Sequence, residues 1–345
     1  MPAFAARLCA LQGVAAGGSG WRPGPAPHQR QQWAGITASS AQDAAAAAAA
    51  APSPPKSIAE KIGFIGAGQM GEALLRGFLR AKLLGMWHTG LLLPSSLLHS
   101  VKDWERREAL ERMGVGSVFG DATEGGSCDV ANFARILLLC TKPQALPEVL
   151  ESLAPHVTEE HLVISIAAGV TLNTMEQALG PHVRVVRVMP NTPALVQCGA
   201  TAYALGRNAT ERDAELVDLL FSSVGFCIQV QEKQLDAVTG LSGSGPAFVY
   251  LMIEALADGG VAAGLPRETA LALAAKTVKG AAQMVFSDDA TSESGMVHPG
   301  VLKDRVASPA GTTIAGLTEL ESSGVRGAFI RAVTRAAARS KELAG

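Results

Sequence analysis

The sequence predicts an α/β domain with a doubly wound parallel sheet, followed by an all-α domain. Three observations support this fold class. Between residues 61 and 232, short continuous apolar runs alternate with helical patterns, as is typical of parallel strands covered on both faces. A glycine-rich turn joins the first strand of that region to its first helix. After about residue 232 the strand signals stop and only helical patterns remain.

The α/β region divides into apolar strands with helices between most of them. Gln144–Leu153 and Ala209–Ser223 are two of the predicted helices. The predicted strands are Lys61–Ile65, Leu91–Leu93, Ile136–Cys140, Leu162–Ile166, Val183–Val188, Thr201–Ala204 and Phe226–Val230.

The C-terminal region is predicted to be a helical domain that pairs with a second copy. Its first helix is apolar nearly all round and carries only Glu254 and Asp258 as charges, which is typical of a buried helix. A domain of this size has too small a core to hide such helices, so we expect a homodimer. The predicted helices are Pro246–Ala263, Pro266–Phe286, Thr313–Glu321 and Val325–Leu343.

Bulk composition excludes several classes of protein. The 345 residues are 48% hydrophobic and 17% charged, with a formal net charge of −2, so a nucleic-acid partner is not expected. No apolar run approaches the roughly 18 residues of a membrane span. The five cysteines are scattered without paired spacing, which indicates neither a disulfide framework nor a metal site.

Residues 1–60 differ from the rest of the chain. Three arginines, Arg7, Arg22 and Arg30, precede the first acid, Asp43, and an alanine run follows. Two interpretations stay open, a mitochondrial transit peptide or a disordered leader, so the compartment is mitochondrial or cytoplasmic. We therefore divide the chain into a leader (1–60), a dinucleotide-binding domain (61–232) and a helical dimerisation and substrate domain (233–345).

The glycine-rich turn has the spacing of a Rossmann dinucleotide site. Gly66, Gly68 and Gly71 stand in the order G-x-G-x-x-G between a strand and a helix. The first glycine allows a tight turn, the second lets the backbone approach a pyrophosphate, and the third lets the helix pack close to the strand. The alternative is an ordinary glycine-rich turn. The residues predicted to hold the pyrophosphate are Gly66, Ala67, Gly68, Gln69 and Met70.

The cofactor preference depends on the end of the second strand. An NAD site usually has an acidic residue there for the ribose hydroxyls, but this chain has Ser95 and Ser96 after Pro94. Their hydroxyls, with His99 or Lys102 nearby, favour a 2′-phosphate, and a plain turn is the alternative. We expect NADPH or NADH, with a preference for NADPH.

Further cofactor contacts are expected from loops at the carboxyl ends of later strands, where ligands of open α/β sheets lie. The small residues of the loop that begins at Ala167 would let a nicotinamide ring approach the backbone. Lys142 would meet a phosphate or ribose, although a solvated side chain explains this lysine equally well. Asn191 could instead cap a turn. These residues are Cys140, Lys142, Pro143, Ala167, Ala168 and Asn191.

A second anion site is predicted far downstream, between two helical patterns. Ser308-Pro-Ala-Gly-Thr-Thr313 has small residues and hydroxyls at a helix start. Bare N–H groups and the helix dipole at such a junction suit a small anion such as a carboxylate. Because the chain has no zinc-protease motif, no cysteine–histidine cluster and no nucleophile elbow, neither a metal nor a hydrolytic nucleophile is expected. His298 precedes Pro299 and is interpreted as a helix cap rather than as a catalytic base.

Together, His298–Glu321, Thr239–Ala247 and Gly63–Gly71 resemble the Δ1-pyrroline-5-carboxylate reductase family of proline biosynthesis. The resemblance runs from about Lys61 to the C-terminus. It implies reduction of a cyclic imine carboxylate to L-proline by NAD(P)H, in interlocked dimers that often assemble into rings. It also implies an active site completed across the dimer interface.

The resemblance assigns roles to the second anion site. It implies that Ser308, Gly311 and Thr312 bind the substrate carboxylate and that Thr313 is the catalytic residue, hydrogen-bonded to the ring nitrogen. One departure is Ala310, which stands where the family usually has glycine. A second departure is the stretch 87–135, which is longer than the family pattern on the adenine side of the cofactor.

Two other functions stay open from the residues. A β-hydroxyacid dehydrogenase on the same scaffold would need a lysine base, for which Lys276, Lys279 and Lys303 are available. A non-catalytic dinucleotide-binding scaffold is the other alternative, and the Ser308–Thr313 loop argues against it because a scaffold needs no carboxylate site.

Overall fold

The fold was derived from a computed structural model. It describes residues 60–66, 68–81, 89–92, 108, 112, 117–119, 127–287 and 295–344. Ala67, Ser95, Ser96 and the leader 1–59 lie outside the described residues, so the predictions made for them stay predictions.

One eight-stranded sheet forms the centre of the described α/β region, in the order β3-β2-β1-β4-β5-β6-β7-β8. Its inner strands are continuous apolar runs, buried on both faces as parallel strands require. The strands are β1 Ile62–Ile65, β2 Thr89–Leu92, β3 Ser117–Phe119, β4 Ile136–Leu139, β5 Leu162–Ser165, β6 Arg184–Met189, β7 Gly199–Leu205 and β8 Gly225–Gln229.

The expectation of a parallel sheet is confirmed with one correction. β6 pairs with β7 in antiparallel fashion, while the other neighbours pair in parallel. The connection from Met189 to Gly199 is a short 3₁₀ segment, Thr192–Val196, which is too short to carry the chain back across the sheet for a parallel strand. β3 was not predicted, because Ser117–Phe119 is three residues long and lies in a glycine-rich stretch.

Helices cover both faces of the sheet, and the described elements after β8 are all helical. Most begin with a local signal, such as the reciprocal capping pair of Thr210 and Asp213. The described helices are α1 Gln69–Arg80, α2 Ser127–Phe133, α3 Leu146–Leu153, α4 Leu172–Leu179, α5 Glu211–Ser222, α6 Leu235–Val238, α7 Gly245–Ala262, α8 Arg267–Val285, α9 Pro299–Arg305, α10 Thr312–Ser322 and α11 Val325–Ala344.

Two apolar cores lie on opposite faces of the sheet. One packs Phe78 of α1 and Phe221 of α5 with Phe64 of β1, and the other packs α3 and α4 against Leu137 and Val163. Alternate residues of each buried strand enter opposite cores, which fixes the register of the sheet. The carboxyl ends of the parallel strands therefore stand at one edge, where the candidate site lies.

The helical region has little core of its own. α7 and α8 meet through Ala257, Ala270 and Ala274. Large apolar side chains of α7 stay exposed in the single chain, with Tyr250 61% and Leu251 67% accessible. An apolar surface of this kind on a long helix is typical of a subunit interface. Among the described helices, none is long and apolar enough to cross a membrane.

Candidate active site

The glycine-rich turn after β1 is shaped by close backbone approach. Gly66 has φ +98°, and a Cβ there would lie 2.9 Å from the carbonyl carbon of Cys140. A Cβ on Gly71 would lie 2.9 Å from the Gly66 carbonyl oxygen. Side chains at these two positions would force β1, α1 and the end of β4 apart, so both glycines are required by packing.

Gly68 has a different role from its two neighbours. A Cβ there would meet nothing nearer than the Cys140 carbonyl oxygen, at 3.9 Å. Gly68 is the N-cap of α1 and no side chain caps the helix, so the N–H groups of Gln69 and Met70 begin the helix without a side-chain acceptor. The only acid in the first turn, Glu72, is bonded to Arg76 at 2.8 Å. An open, uncapped helix start beside a glycine fits a pyrophosphate.

The residue after β4, Cys140, packs against the glycine-rich turn. The Cys140 N–H donates to the Ile65 carbonyl at 2.7 Å, and its side chain is buried. Burial raises the pKa of the Cys140 thiol to about 12, so the thiol stays protonated and packs as a small apolar group. Lys142 is exposed and precedes a short 3₁₀ turn, Pro143–Ala145, at the same edge.

The end of β5 supplies the small-residue loop expected beside the cofactor. Ala167 is buried, and its N–H donates to the Ser165 hydroxyl at 3.3 Å. Ala168 is half-buried. Gly169 follows with φ +76°, and a Cβ there would come within 3.2 Å of Leu343 on α11. The loop is therefore held between the sheet and the C-terminal helix, at the same edge as the glycine turn.

Asn191 has its side chain engaged inside the protein. Its Nδ2 donates to the Ser242 carbonyl at 3.1 Å, and its Oδ1 accepts from the Ala200 N–H at 2.8 Å. The residue thus ties the end of β6 to the start of β7 and to a π-helical turn, Thr239–Gly243. These bonds favour a positioning role, and direct contact with the cofactor stays a prediction.

The second predicted anion site forms the start of α10. Gly311 is its N-cap, without a side-chain cap, and Thr312 and Thr313 are its first two residues. The Gly311 N–H donates to the Ser308 carbonyl at 3.1 Å. A Cβ on Gly311 would lie 2.2 Å from the Ser308 hydroxyl oxygen, so only glycine lets that hydroxyl sit over the helix start. The Gly311 N–H is thus engaged within the loop, whereas Thr312 and Thr313 begin the helix without a side-chain cap, and carboxylate binding there stays a prediction.

Ala310 has φ +53°, a left-handed conformation that favours glycine. The departure from the family's glycine therefore falls where glycine would be least strained, and alanine is the least bulky replacement. Upstream, His298 caps α9 by accepting the Gly300 N–H on Nδ1 at 3.1 Å, in agreement with its interpretation as a cap.

The glycine turn at Gly66–Gly71 and the Ser308–Thr313 loop, called the two cradles below, pack against different parts of the protein. The glycine turn and the loops at the ends of β4 and β5 converge at one sheet edge. In the described part of the chain, the main packing of α9 and α10 is with α8 and α11 rather than with the sheet. The sequence interpretation also missed Arg187, a buried cation in β6; its signal is a charge within an otherwise apolar strand.

Comparisons with known proteins agree with this geometry. A family model described as "Pyrroline-5-carboxylate reductase dimerisation" matches residues 232–343, and one described as "NADP oxidoreductase coenzyme F420-dependent" matches residues 61–169. The chain is 48% identical over 285 residues to a pyrroline-5-carboxylate reductase of Methanosarcina acetivorans, covering 82% of this chain and 98% of the relative. It is 46% identical over 292 residues to a pyrroline-5-carboxylate reductase of Glycine max, covering 85% and 98%.

A solved structure gives the same result. The pyrroline carboxylate reductase of Plasmodium falciparum, crystallised with NADP bound, superposes with a TM-score of 0.71 at 31% identity, covering 83% of this chain and 99% of that one. Sequence, fold and the two uncapped helix starts converge, and the chain belongs to the pyrroline-5-carboxylate reductase family.

Proposed function

We propose that this protein reduces 1-pyrroline-5-carboxylate to L-proline with NAD(P)H, the last step of proline biosynthesis. The observation that carries the proposal is the second uncapped helix start, at Gly311–Thr313, in a chain that already has a dinucleotide cradle at Gly66–Gly71. A dinucleotide scaffold without a substrate would need only the first.

The cofactor cradle fits a nicotinamide dinucleotide. Gly66–Met70 would hold the pyrophosphate at the start of α1, and Lys142 with Pro143 would flank the ribose. Ala167 and Ala168 leave room for a ring against the backbone. When bound, the nicotinamide supplies the hydride.

The substrate loop would fix the imine by its carboxylate. The Ser308 hydroxyl, the backbone of Gly311 and the Thr312 N–H would surround the carboxylate without a formal positive charge, aided by the helix dipole. Thr313 would hydrogen-bond the ring nitrogen. A cyclic imine nitrogen is readily protonated near neutral pH, so a Thr hydroxyl suffices as orienter and proton relay and no strong protein acid is required. Positioning supplies most of the acceleration.

NADPH is the proposed preference. The hydroxyls of Ser95 and Ser96 carry that proposal from the sequence, and the Plasmodium falciparum structure was solved with NADP. Comparing kcat/KM for NADPH and NADH, before and after Ser95→Ala, tests it; an equal loss for both cofactors would argue against a 2′-phosphate contact.

The assembly follows from the helical region. The dimerisation model matches residues 232–343, and α7 presents an unpartnered apolar surface, so the chain forms a homodimer. We propose further that dimers join into a ring and that the partner completes each active site. Sedimentation velocity measures the ring, and mixed dimers of two complementary inactive variants measure the sharing of sites.

The domain division and the compartment are also proposals. We place the division between nucleotide-binding and helical domains at 232/233, after β8 and before α6. Imaging the full chain and a form lacking residues 1–60, each fused to a fluorescent protein, distinguishes mitochondria from cytoplasm.

One assay separates the three functions. The reductase should oxidise NAD(P)H with 1-pyrroline-5-carboxylate and should not reduce NAD(P)⁺ with short β-hydroxyacids. The opposite pattern would establish the dehydrogenase, and neither activity would leave a scaffold. The structure favours the first outcome, since Lys276 and Lys279 are exposed on α8 and Lys303 pairs with Asp304 at 2.7 Å.

A further inference from the structure

A cluster of charged side chains around the buried Arg187, formed with Glu232 and Asp236 and called the joint below, connects the nucleotide-binding sheet to the C-terminal helix. Arg187 in β6 is 3% accessible, and its Nη1 lies 3.2 Å from Glu232 Oε1. Its Nη2 lies 3.8 Å from Asp236 Oδ1 on α6. The same Asp236 oxygen accepts the hydroxyl of Ser340 on α11 at 2.7 Å, and Ser340 is 4% accessible. One carboxylate therefore joins a strand, a short helix and the last helix.

The joint lies directly behind the small-residue loop. Arg187 is in register with Ser165, whose hydroxyl accepts the Ala167 N–H. The Glu232 carboxylate that pairs with Arg187 also accepts the N–H of Leu172, the first residue of α4, at 2.6 Å. One end of the segment between β5 and α4 is thus bonded directly to this cluster, and the other end lies beside Arg187 in the sheet.

The C-terminal helix touches the same segment from the other side. Leu343 lies so close to Gly169 that an added Cβ would come within 3.2 Å of it. Four residues after Asp236, Gly240 lets α11 approach so closely that an added Cβ would lie 2.6 Å from the Val333 carbonyl oxygen. α11 also packs against α10, which begins at the substrate loop. This helix therefore contacts both the small-residue loop after β5 and the helix that begins at the substrate loop.

We propose that Ser340 and Arg187 are positioning residues for hydride transfer. By sharing the Asp236 carboxylate they lock α11 against the Ala167–Gly169 loop, and this sets how the helical domain sits on the nucleotide-binding domain. The two subunits meet through the helical domain. The relative placement of the two domains therefore sets the distance between the hydride donor and the acceptor carbon in both subunits. Arg187 has Nε and Nη2 without a hydrogen bond in the described part of the chain, so charge pairing rather than a full set of hydrogen bonds holds it. This inference rests on the proposed reductase function.

The test uses Ser340→Ala, which removes one hydroxyl and keeps the helix. We expect kcat to fall on the order of tenfold, since small displacements of reacting groups cost large factors in rate. The dissociation constant for NADPH should stay within about twofold, because the pyrophosphate turn at Gly66–Met70 is untouched and only the loop on the nicotinamide side is loosened. The kinetic isotope effect with NADPH deuterated at the transferred position should rise, because hydride transfer becomes more rate-limiting.

Two further variants and one physical measurement make the outcome decisive. Ser340→Thr keeps the hydroxyl and should restore most of kcat, while Ser322→Ala, an exposed serine bonded only to the Glu319 carbonyl, should match the parent protein. Deuterium uptake at residues 166–172 should increase in Ser340→Ala. Unchanged kcat, isotope effect and uptake, with only a lower melting temperature, would overturn the inference. A parent protein without reductase activity would instead refute the proposed function, and the uptake measurement would still decide the joint.

Discussion

Thr313 is the proposed catalytic residue, and its hydroxyl is not engaged by other described residues. It is the second residue of α10, half-buried, and its hydroxyl makes no hydrogen bond within the described part of the chain. A hydroxyl at that position can face a ligand at no cost to the fold. Its identity as a catalytic group came from the family resemblance, since hydroxyls at a helix start are commonly caps.

Thr313→Ala should therefore lower kcat by at least about a hundredfold, the lower end of the range for loss of one proton-handling group. NADPH affinity should be nearly unchanged, because the cofactor cradle is elsewhere in the fold. Thr318→Ala on the same helix is the matched control, since that hydroxyl only bonds the Ile314 carbonyl. Steady-state kinetics and cofactor titration check this, and unchanged turnover would place the ring nitrogen elsewhere.

The cysteines should differ sharply in reactivity. Burial raises the pKa of Cys140 to about 12. Burial and the nearby Asp218 also raise the pKa of Cys227. Cys198, by contrast, is exposed. A raised pKa removes the reactive thiolate, so only on the order of one Cys140 in 10⁴ is ionised at pH 8. Iodoacetamide at pH 8 should label Cys198 long before Cys140 or Cys227. Peptide mass spectrometry measures the rates, and early labelling of Cys140 would show that the β4 end opens.

At the scale of elements, strand order along the chain was predictable and strand direction was not. Continuous apolar runs such as Leu162–Ser165 mark buried strands, but nothing in Thr201–Ala204 distinguishes an antiparallel from a parallel neighbour. The direction is set by the short connection after Met189. Likewise the π-helical turn at Thr239–Gly243 depends on contact with α11, which local sequence does not reveal. Both anion sites could be predicted from the sequence because each is a local strand–turn–helix or helix–turn–helix signal.

The glycine turn predicts a clear separation of binding from stability. Gly68→Val should abolish NADPH binding while leaving the melting temperature almost unchanged, because among the described residues an added Cβ would meet nothing nearer than the Cys140 carbonyl oxygen, at 3.9 Å. Gly66→Val should instead destabilise the fold, since its φ of +98° and the end of β4 both oppose a side chain. Fluorescence titration with NADPH and thermal unfolding measure the two properties. A Gly68→Val protein that binds NADPH normally would remove the pyrophosphate from this turn.

At the scale of the whole molecule, the helical region is complete only as a pair. Its own core is the small set of alanines between α7 and α8, while Tyr250 and Leu251 stay exposed. Amphipathic periodicity is nearly absent from α7, and that absence is what predicted a partner from the sequence. The ring and the shared active site could not be inferred from residues, because they depend on surfaces whose complement lies on another copy.

Leu251→Glu should break the homodimer and with it the activity, because a charge would be placed in a desolvated apolar interface. Analytical ultracentrifugation should show monomers at concentrations where the parent protein is dimeric. Glu151→Gln, an exposed position on α3, serves as a surface control. A fully active monomer would contradict the need for a partner.

A crystal structure with NADPH and a ring analogue of proline is the most direct measurement of the central claim. We expect the analogue's carboxylate beside the Ser308 hydroxyl, the Gly311 backbone and the Thr312 N–H, its ring beside Thr313, and the pyrophosphate at Gly66–Met70. A carboxylate bound by a charged side chain away from the Ser308–Thr313 loop would contradict it.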